Sequence, residues 1–248
     1  MIEIVDLHKK FNGQAVLCGV NLKIPTGKVT VIIGPSGSGK TVLLRHLIGL
    51  LKPDRGSVAV DGVEIGKLDS QKLNDFRRRF GMLFQSAALF DSLNVFDNVA
   101  FPLIESSRGK KRPDVKGIVE AKLKLVGLSG SENKMPSELS GGMRKRVGLA
   151  RAIVLEPSII LYDEPTTGLD PIMAAAIDNL ILSMQQSLSV TSVVISHDIE
   201  SAFRVADQIA MIHGGRIAEC GGPDAFGRSE NPVVREFLRA GGLKGENQ

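Results

Sequence analysis

The chain has 248 residues, of which 43% are hydrophobic and 23% charged, so it is long enough to bury a core in one globular domain or two small ones. The net charge of +4 is compatible with a phosphate-bearing ligand or a membrane surface and requires neither. The sequence argues against a membrane-spanning helix, since no apolar run approaches roughly 18 residues, and its two isolated cysteines, Cys18 and Cys220, argue against a disulfide framework or a zinc site.

The N-terminal part predicts strands followed by a helix. The first residues lack the basic start and the long apolar stretch of a signal peptide, so we expect a cytoplasmic protein. Residues 2–5 alternate partly, and residues 20–24 alternate cleanly, between apolar and polar side chains. Residues 29–33 are typical of a strand that is buried on both faces. A glycine-rich loop follows, and residues 41–48 predict a helix.

Helical periodicity dominates the middle of the chain, from about residue 86 to residue 157. Pro113 and Asp114 start one predicted helix, whose apolar residues recur on one face and which Gly127 ends. A second predicted helix covers residues 141–155 and is stopped by a proline two residues later.

Two more strands that are buried on both faces are predicted at residues 158–162 and 192–195. A helix over residues 170–188 lies between them, and its Asp-Pro start is typical of an N-cap followed by a first-turn proline. Polar residues follow each strand: the pair Asp163–Glu164 after the first and His197 after the second.

The alternation of strands with helices predicts an α/β fold with an open parallel sheet. Residues 208–213 and 216–219 predict a hairpin around two glycines, and the polar tail 241–248 is expected to fray. Ligands of such sheets bind at the carboxyl ends of the strands. We therefore expect the polar residues after the three doubly buried strands to converge on one site.

The loop after the first of these strands fits the phosphate-binding pattern in full, in its strand-to-helix context: Gly34, Pro35, Ser36, Gly37, Ser38, Gly39, Lys40 and Thr41. Its glycines let backbone N–H groups turn towards a β-phosphate, and the start of the following helix adds positive potential. In this pattern Lys40 pairs with β- and γ-phosphate oxygens, and the Thr41 hydroxyl binds Mg²⁺. A chance glycine-rich turn is the alternative, which the complete pattern disfavours.

Asp163, Glu164 and His197 predict the catalytic part of the site, together with Lys40. Asp163 has the position of a carboxylate that holds Mg²⁺ through its water shell, and Glu164 is the candidate general base. His197 would contact the γ-phosphate and hold the attacking water. A solvated acidic loop and a structural histidine are the alternatives, but the combination of three polar strand ends favours function.

A second helix start, formed by Ser140, Gly141 and Gly142, has the features of another anion-binding element. On its own it is an ordinary helix cap. In combination, the order of the motifs resembles that of the ATP-binding cassette family over nearly the whole chain: the phosphate loop, Gln85, the segment 140–142, Asp163–Glu164, the loop 168–170 and His197.

This resemblance implies an α/β fold of the P-loop NTPase class, namely an ABC cassette with a RecA-like parallel-sheet core, an antiparallel β subdomain and an inserted α-helical subdomain. Residues 1–248 would form a single nucleotide-binding domain, with the helical subdomain at about 86–157. The implied activity is the hydrolysis of ATP to ADP and phosphate, with ATP and Mg²⁺ bound, coupled to transport.

The resemblance also implies a head-to-tail homodimer. The segment 140–142 of one copy would cap the ATP that is held by the phosphate loop of the other. Asp170 would link the two sites, and Gln85 would bind Mg²⁺ and sense a transmembrane partner. The sequence departs from the family at Met143, where glutamine is common. This change removes a polar contact at the interface, so hydrolysis is expected to survive but to be slow or dependent on a partner.

Phe11 matches the aromatic residue that stacks on adenine in this family, and a core position is the alternative. The predicted ATP contacts are therefore Phe11, the phosphate loop 34–41, Gln85 and the segment 140–142. The predicted metal ligands are Thr41, Gln85 and Asp163.

Residues 82–99 and 135–143 resemble a subgroup of the family: the ATPases that drive phospholipid transport with Mce-type substrate-binding proteins, as in the Mla system of Gram-negative bacteria. This resemblance implies a subunit on the cytoplasmic face of the inner membrane, with transmembrane permease subunits, a small STAS-type regulatory subunit and an Mce-type lipid-binding subunit as partners. It would move phospholipids between the inner and outer membranes and so maintain outer-membrane lipid asymmetry. An ATPase for another solute is the alternative. A soluble ABC protein acting on DNA or ribosomes is disfavoured because the chain has neither long coiled-coil insertions nor two cassettes.

Small and apolar residues follow Gln85 and predict a surface that receives a short helix from a membrane subunit: Ala87, Ala88, Leu89 and Phe90. Burial is the alternative, above all for Leu89. Basic clusters at residues 77–79, 110–112 and 144–146 lack interleaved aromatic residues. We expect solvated faces, or contacts with partners and anionic headgroups, rather than a nucleic-acid site.

Overall fold

The computed structural model describes residues 1–107 and 114–242, in which the strands form two sheets. The larger sheet has the spatial order β10 (Arg216–Gly221), β9 (Gln208–His213), β3 (Val29–Ile33), β8 (Thr191–Ile195), β7 (Ile159–Asp163) and β6 (Phe80–Leu83). The neighbouring strands are parallel except for the β9–β10 hairpin. The predicted α/β class with a parallel sheet is therefore confirmed.

The smaller sheet is antiparallel and has the order β2 (Gln14–Ile24), β1 (Ile2–Phe11), β4 (Arg55–Val60) and β5 (Val63–Glu64). β1 and β2 are longer than the alternating runs in the sequence. The reason is a bulge at Asp6, whose φ is +47°, which shifts the register between Ile4 and Leu7. The bulge interrupts the alternation of apolar and polar residues without ending the strand.

The described helices are α1 (Lys40–Leu47), α2 (Ser70–Arg77), α3 (Val95–Ser106), α4 (Val115–Leu125), α5 (Gly141–Ala152), α6 (Pro171–Leu188), α7 (Ile199–Val205), α8 (Pro223–Gly227) and α9 (Pro232–Ala240), with 3₁₀ turns at Ile65–Lys67 and Pro136–Glu138. Many start at a side chain that accepts a backbone N–H bond, as Asp114 does for α4. The predicted end of α5 is wrong by three residues, because the chain turns at 153–155 ahead of Glu156, whose φ is +54°.

Two hydrophobic cores cover the two faces of the larger sheet. Val29, Val31 and Ile33 of β3 face the core that includes α3 to α7, α8 and α9. Ile32 faces the core that contains α1 and the smaller sheet. Burial on both faces explains why β3 is a continuous apolar run, and it fixes the position of the loop that follows.

Helices α3, α4 and α5 lie between β6 and β7 in the sequence, and they pack against one another. Pro113, the basic cluster 110–112 and residues 243–248 of the predicted tail lie outside the described residues. None of the helices in the described ranges combines the length and the apolar character that crossing a membrane requires.

Candidate nucleotide-binding site

The ends of three neighbouring strands, β3, β8 and β7, lie together at one edge of the larger sheet. The Ser196 N–H donates to the carbonyl of Ile32, at 3.2 Å, and the Glu164 N–H donates to the carbonyl of Ile195, at 2.9 Å. These bonds connect the segments that leave the three strands. The structure thus brings the phosphate loop, Glu164 and His197 to one place.

The loop between β3 and α1 has a shape that side chains would disturb. A β-carbon on Gly34 would lie 2.2 Å from the carbonyl oxygen of Ile212, and Gly39, the N-cap of α1, has a φ of +103°. The first amide groups of a helix have no carbonyl partner in a preceding turn, so those of α1 are available to an anion. The Ser38 hydroxyl is buried without a hydrogen-bond partner among the described residues. An unpartnered hydroxyl beside a helix start fits a phosphate group.

Lys40 lies across this loop with its side chain almost fully buried. Its Nζ donates to the carbonyls of Gly34, at 2.8 Å, and Pro35, at 3.0 Å. Burial lowers the pKa of Lys40, and the negative charges of Glu164 and Asp163 oppose that change. The ammonium group is therefore bound to the phosphate loop and interacts electrostatically with the two acids.

Asp163, the last residue of β7, faces the start of α1. The Thr41 hydroxyl donates to Asp163 Oδ1 at 3.4 Å. Burial raises the pKa of Asp163, the charge of Glu164 adds to this effect, and the Thr41 bond opposes it. A divalent cation would relieve the repulsion between the two carboxylates, and hydroxyl and carboxylate oxygens are ligands that Mg²⁺ prefers.

Gln85 is exposed and lies on an open cleft of about 410 Å³ that Asp163 also lines. The other lining residues are Phe84, Ser86 and Thr167. No cluster of three or more His, Cys, Asp or Glu side chains suited to a metal occurs in residues 1–107 and 114–242. A magnesium ion here would thus need phosphate oxygens to complete its ligands, as is usual for this ion.

Glu164 is held in an orientation that its backbone alone does not favour. Its φ is +51°, outside the strand. Its Oε2 accepts a bond from Nδ1 of His197, at 2.7 Å, and one from the Thr167 hydroxyl, at 3.0 Å. Since a carboxylate only accepts, Nδ1 of His197 carries the proton. The sequence analysis missed Thr167, although its signal was a hydroxyl three residues after the candidate base.

The segment 140–142 contacts a different part of the same chain. The Ser140 hydroxyl caps α5 by accepting the Met143 N–H at 3.3 Å, which leaves its proton free to donate. A β-carbon on Gly142 would lie 2.1 Å from Cε of Met173. One on Gly141 would lie 3.3 Å from Leu169. The segment thus rests on the chain around Asp170, which caps α6.

Met143 is partly buried and packs against the larger core. Its side chain is apolar and therefore offers no polar contact at the surface. Phe11, at the end of β1, is 41% exposed, which makes the core alternative wrong. The ammonium of Lys9 lies 5.6 Å from the centroid of its ring. In the same β1–β2 hairpin, the side chain of Leu17 lies close to Gly39, so the hairpin adjoins the phosphate loop.

The predicted docking surface after Gln85 is partly wrong. Ala87 is only 1% exposed because it packs against Gly148 of α5, and Leu89 is partly buried against the larger core. Phe90 remains exposed, and its ring centroid lies 4.8 Å from that of Phe101 on α3. Ala88 is exposed as predicted, so the exposed apolar surface near Gln85 combines one alanine with aromatic rings.

The expectation of solvated basic faces is also wrong in part. Lys145 is 5% exposed and donates to two backbone carbonyls. Arg77 donates to the carbonyls of Ile48 and Gly49 behind α1, and Arg79 pairs with Asp61. Sequence clusters of like charge do not distinguish a solvated side chain from one that satisfies buried carbonyls.

The family model described as ABC transporter matches residues 17–167, more than half of the chain. The chain belongs to the ABC transporter family. This ABC cassette is 46% identical over 237 residues, 96% of its length and 68% of the relative's, to the "Probable ribonucleotide transport ATP-binding protein mkl" of Mycobacterium leprae. It is 42% identical over 238 residues, 96% of its length and 88% of the relative's, to the "Intermembrane phospholipid transport system ATP-binding protein MlaF" of Escherichia coli K12.

Among solved structures, the ATP-binding cassette MJ0796, described as a dimer in a post-hydrolysis state with ADP and Pi, has a TM-score of 0.81 and 33% identity. The match covers 90% of this chain and 99% of that one. The predicted fold, family and ABC-type ATPase activity with bound ATP are thus confirmed, as is the resemblance to the Mla type. The chain spans about two thirds of the length of the mkl relatives.

Proposed function

We propose that this ABC cassette hydrolyses ATP to drive the movement of phospholipids between the inner and outer membranes. The observation that carries the catalytic part is the contact of the Glu164 carboxylate with His197 at the edge of the sheet that also holds Lys40 and the Thr41–Asp163 pair. An acid–base pair beside a phosphate loop is the arrangement that a water-dependent cleavage of a phosphate bond needs.

The phosphate loop would bind the triphosphate of ATP. The amide groups at the start of α1 and the buried Ser38 hydroxyl supply hydrogen-bond donors, and Lys40 supplies a fixed positive charge. The exposed ring of Phe11 would stack on the adenine base, with Lys9 beside it. Stacking does not read the edge of a base, so this contact contributes affinity more than selectivity.

Thr41, Asp163 and Gln85 would hold Mg²⁺ together with phosphate oxygens. When bound, Mg²⁺ neutralises charge on the phosphates and so favours transfer of the terminal phosphoryl group to water. The direct bond between Thr41 and Asp163 already brings two of these side chains together. Gln85 lies on the same cleft as Asp163 and is free to move because its side chain is exposed.

Glu164 would accept the proton of the attacking water. His197 and Thr167 both bind its Oε2, so the two donors fix the plane of the carboxylate before substrate arrives. His197 is more exposed than Glu164, with side-chain exposures of 58% and 14%, so its free ring nitrogen can reach a γ-phosphate. Lys40 stabilises the negative charge that develops on the phosphate oxygens.

A second copy of the chain would complete the site. Ser140 is exposed, its hydroxyl proton is free, and the start of α5 adds positive potential, so the segment 140–142 is suited to a γ-phosphate held elsewhere. The dimeric MJ0796 structure is similar over most of the chain, which supports a homodimer. In this dimer Asp170 would link the two sites. We further propose that residues 1–248 act as one nucleotide-binding domain, with a helical subdomain at about 86–157.

The transported lipid is inferred from similarity to MlaF, of which the chain covers 88–90%. A second candidate, transport of another solute, is favoured by the higher identity to the mkl protein, whose name refers to ribonucleotides. In either case permease subunits would dock beside Gln85, on the exposed Phe90–Phe101 pair, and hold the chain at the cytoplasmic face of the inner membrane. A small STAS-type regulatory subunit and an Mce-type lipid-binding subunit are the other proposed partners.

The decisive experiment is to purify the chain from membranes with its permease subunits and to compare it with a Lys40→Ala variant. We expect ATP-dependent transfer of labelled phospholipid between vesicles by the wild-type complex and none by the variant. Lys52→Ala, which changes an exposed lysine after α1, is the matched control and should behave as wild type. Transport of a labelled nucleotide instead of lipid would establish the second candidate.

A further inference from the structure

Lys145 is a buried cation that the proposed mechanism does not use. It lies near the start of α5, behind the segment 140–142, and is 5% exposed. Burial lowers the pKa of Lys145, and the charges of Glu164 and Asp163 oppose that change. A buried lysine costs free energy unless its hydrogen bonds are satisfied, so its contacts indicate why the position is occupied by a cation.

The two contacts of Lys145 join different segments of the site. Its Nζ donates to the main-chain carbonyl of Gln85 and to the main-chain carbonyl of Glu164, at 2.5 and 3.2 Å. These residues follow β6 and β7, which are neighbouring parallel strands with Leu83 opposite Tyr162. One ammonium group thus connects α5, the segment that carries Gln85 and the main chain of the candidate base.

The same face of α5 holds the rest of the Gln85 segment. A β-carbon on Gly148 would lie 2.9 Å from the Leu83 side chain and 3.1 Å from that of Ala87, so the helix approaches the segment closely. Arg151 donates to the carbonyls of Ala87, at 2.6 Å, and Ala88, at 2.7 Å. Lys145, Gly148 and Arg151 recur every three residues and therefore share one face of the helix.

Lys145 and Arg151 differ in one respect. Both bind the segment after β6, but only Lys145 of this pair also binds Glu164. The Glu164 main chain is held from its other side by the bond from its N–H to the carbonyl of Ile195, at 2.9 Å. The Glu164 carbonyl also accepts the Thr167 N–H, at 3.3 Å, within its own turn. Loss of the Lys145 bond would therefore leave the left-handed backbone of Glu164, with a φ of +51°, held by its bonds to Ile195 and Thr167 but no longer linked to α5.

We propose that Lys145 is a positioning residue for hydrolysis, which ties the main chain of Glu164 to α5 and to the Gln85 segment. A displacement of that segment or of the helix then moves the carboxylate relative to the phosphate loop. The inference rests on the proposed role of Glu164 as general base. Through this connection, a partner that binds the exposed Phe90–Phe101 pair would influence catalysis, because Phe90 follows the Gln85 segment in the sequence.

The test compares Lys145→Met, Lys145→Arg and Arg151→Met in the full-length chain. Methionine keeps the length of lysine and removes the donors. We expect Lys145→Met to lower kcat by about 10- to 100-fold, since small misplacements of a catalytic group have effects of that size. KM and the affinity for fluorescent ATP should change by less than about threefold, because the phosphate loop is intact. Lys145→Arg, a cation with several donors, should restore at least half of kcat.

Arg151→Met is the matched control for a merely structural role. It removes a partly buried cation from the same helix face, so we expect a fall in thermal stability but a fall in kcat of less than about threefold. Equal losses of kcat in the two methionine variants, or a wild-type kcat in folded Lys145→Met, would overturn the proposal. If Lys145→Met does not fold, Lys145→Leu is used, which also lacks hydrogen-bond donors, and a wild-type kcat in that shorter variant has the same meaning.

The outcomes separate this inference from the proposed function. If the wild-type chain hydrolyses ATP and Lys40→Ala does not, the nucleotide site is correct whatever the Lys145 variants show. If wild type and Lys40→Ala hydrolyse ATP equally, the proposed site itself is wrong. A lost kcat in Lys145→Met with unchanged ATP affinity and recovery by arginine is the result that supports a positioning role.

Discussion

The strand-end region around Glu164 and the helix start at Ser140 hold their polar groups in opposite ways. Glu164 is bound by side chains of the same copy, His197 and Thr167, and its own main chain is anchored at both its N–H and its carbonyl. Ser140 is exposed, and its hydroxyl accepts one bond from its own helix while its proton remains free. One region is complete within a single copy, and the other presents a donor to solvent.

Under the proposed function, this difference would allow one copy to bind a nucleotide without hydrolysing it. The base and the phosphate loop are organised before ATP arrives, so binding needs no second copy. The γ-phosphate donors proposed at Ser140 reach the ligand only when two copies associate. Hydrolysis is therefore expected to depend on association, and the membrane subunits can control it by controlling the distance between copies.

The largest effect should come from the self-contained region. Glu164→Gln keeps the shape of the side chain but removes the proton acceptor, so we expect kcat to fall about 10²–10⁴-fold with ATP affinity retained. Steady-state ATPase assays and equilibrium ATP binding measure the two quantities. Glu156→Gln, at an exposed glutamate that pairs with Lys122, is the control. A wild-type rate in Glu164→Gln would show that the base lies elsewhere.

The next largest effect should come from the region that faces outwards. Ser140→Arg places a bulky side chain at the proposed contact between copies, so we expect ATPase activity to fall about 100-fold. Ser137→Arg, in the nearby 3₁₀ turn and also exposed, should retain activity.

The two regions can also be separated in mixed dimers. When Ser140→Arg is mixed with Lys40→Ala, one of the two composite sites carries both defects and the other carries neither, so at most one site works. A mixture that is no more active than the two variants alone would contradict capping between copies, because only composite sites can combine an intact Lys40 from one copy with an intact Ser140 from the other.

A smaller effect is expected at the edge of the self-contained region. Phe11→Ala removes the exposed ring, and we expect the affinity for ATP to fall about 10-fold, within the range for loss of one stacking contact. Phe11→Tyr should bind ATP as the wild type does, because it keeps an aromatic face. Titration with a fluorescent ATP analogue measures the affinity of each variant. If the alanine variant binds ATP as tightly as the wild type, the adenine does not stack on Phe11.

The smallest effect on activity should come from the contact that joins the helices behind the two regions. Asp178 of α6 is fully buried and accepts bonds from Ser201 and Arg204 of α7, both at 2.7 Å. Asp178→Ala should destabilise the fold by about 2 kcal/mol and lower Tm by about 4–8 °C. The expected destabilisation is smaller than that for breaking a fully buried ion pair, because Arg204 is partly exposed. Asp91→Ala, at an exposed turn, should leave Tm unchanged. A large loss of kcat in Asp178→Ala at temperatures where it is folded would show that these helices also take part in catalysis.

Local patterns predicted the parts of the site that lie next to strongly patterned elements. The strands β3, β7 and β8 are continuous apolar runs, and polar residues at their ends had to meet once the strands were neighbours in a parallel sheet. The strands β4 and β6 and the helix α2 were not predicted. β6 has only four residues and contains Gly81, where a β-carbon would lie 2.4 Å from the Ala152 carbonyl, so its place depends on α5 and not on its own composition.

The amino-acid sequence by itself determined the family, the sheet and the identity of the phosphate loop, because spacing within one segment specifies a turn, a helix start and the side chains on it. Only the tertiary structure decided that Lys145 is buried while Phe90 is exposed, and that Thr167 as well as His197 binds the candidate base. Those outcomes depend on which surfaces distant segments press together, and a close approach such as that of α5 to residue 87 leaves no trace in the local order of residues.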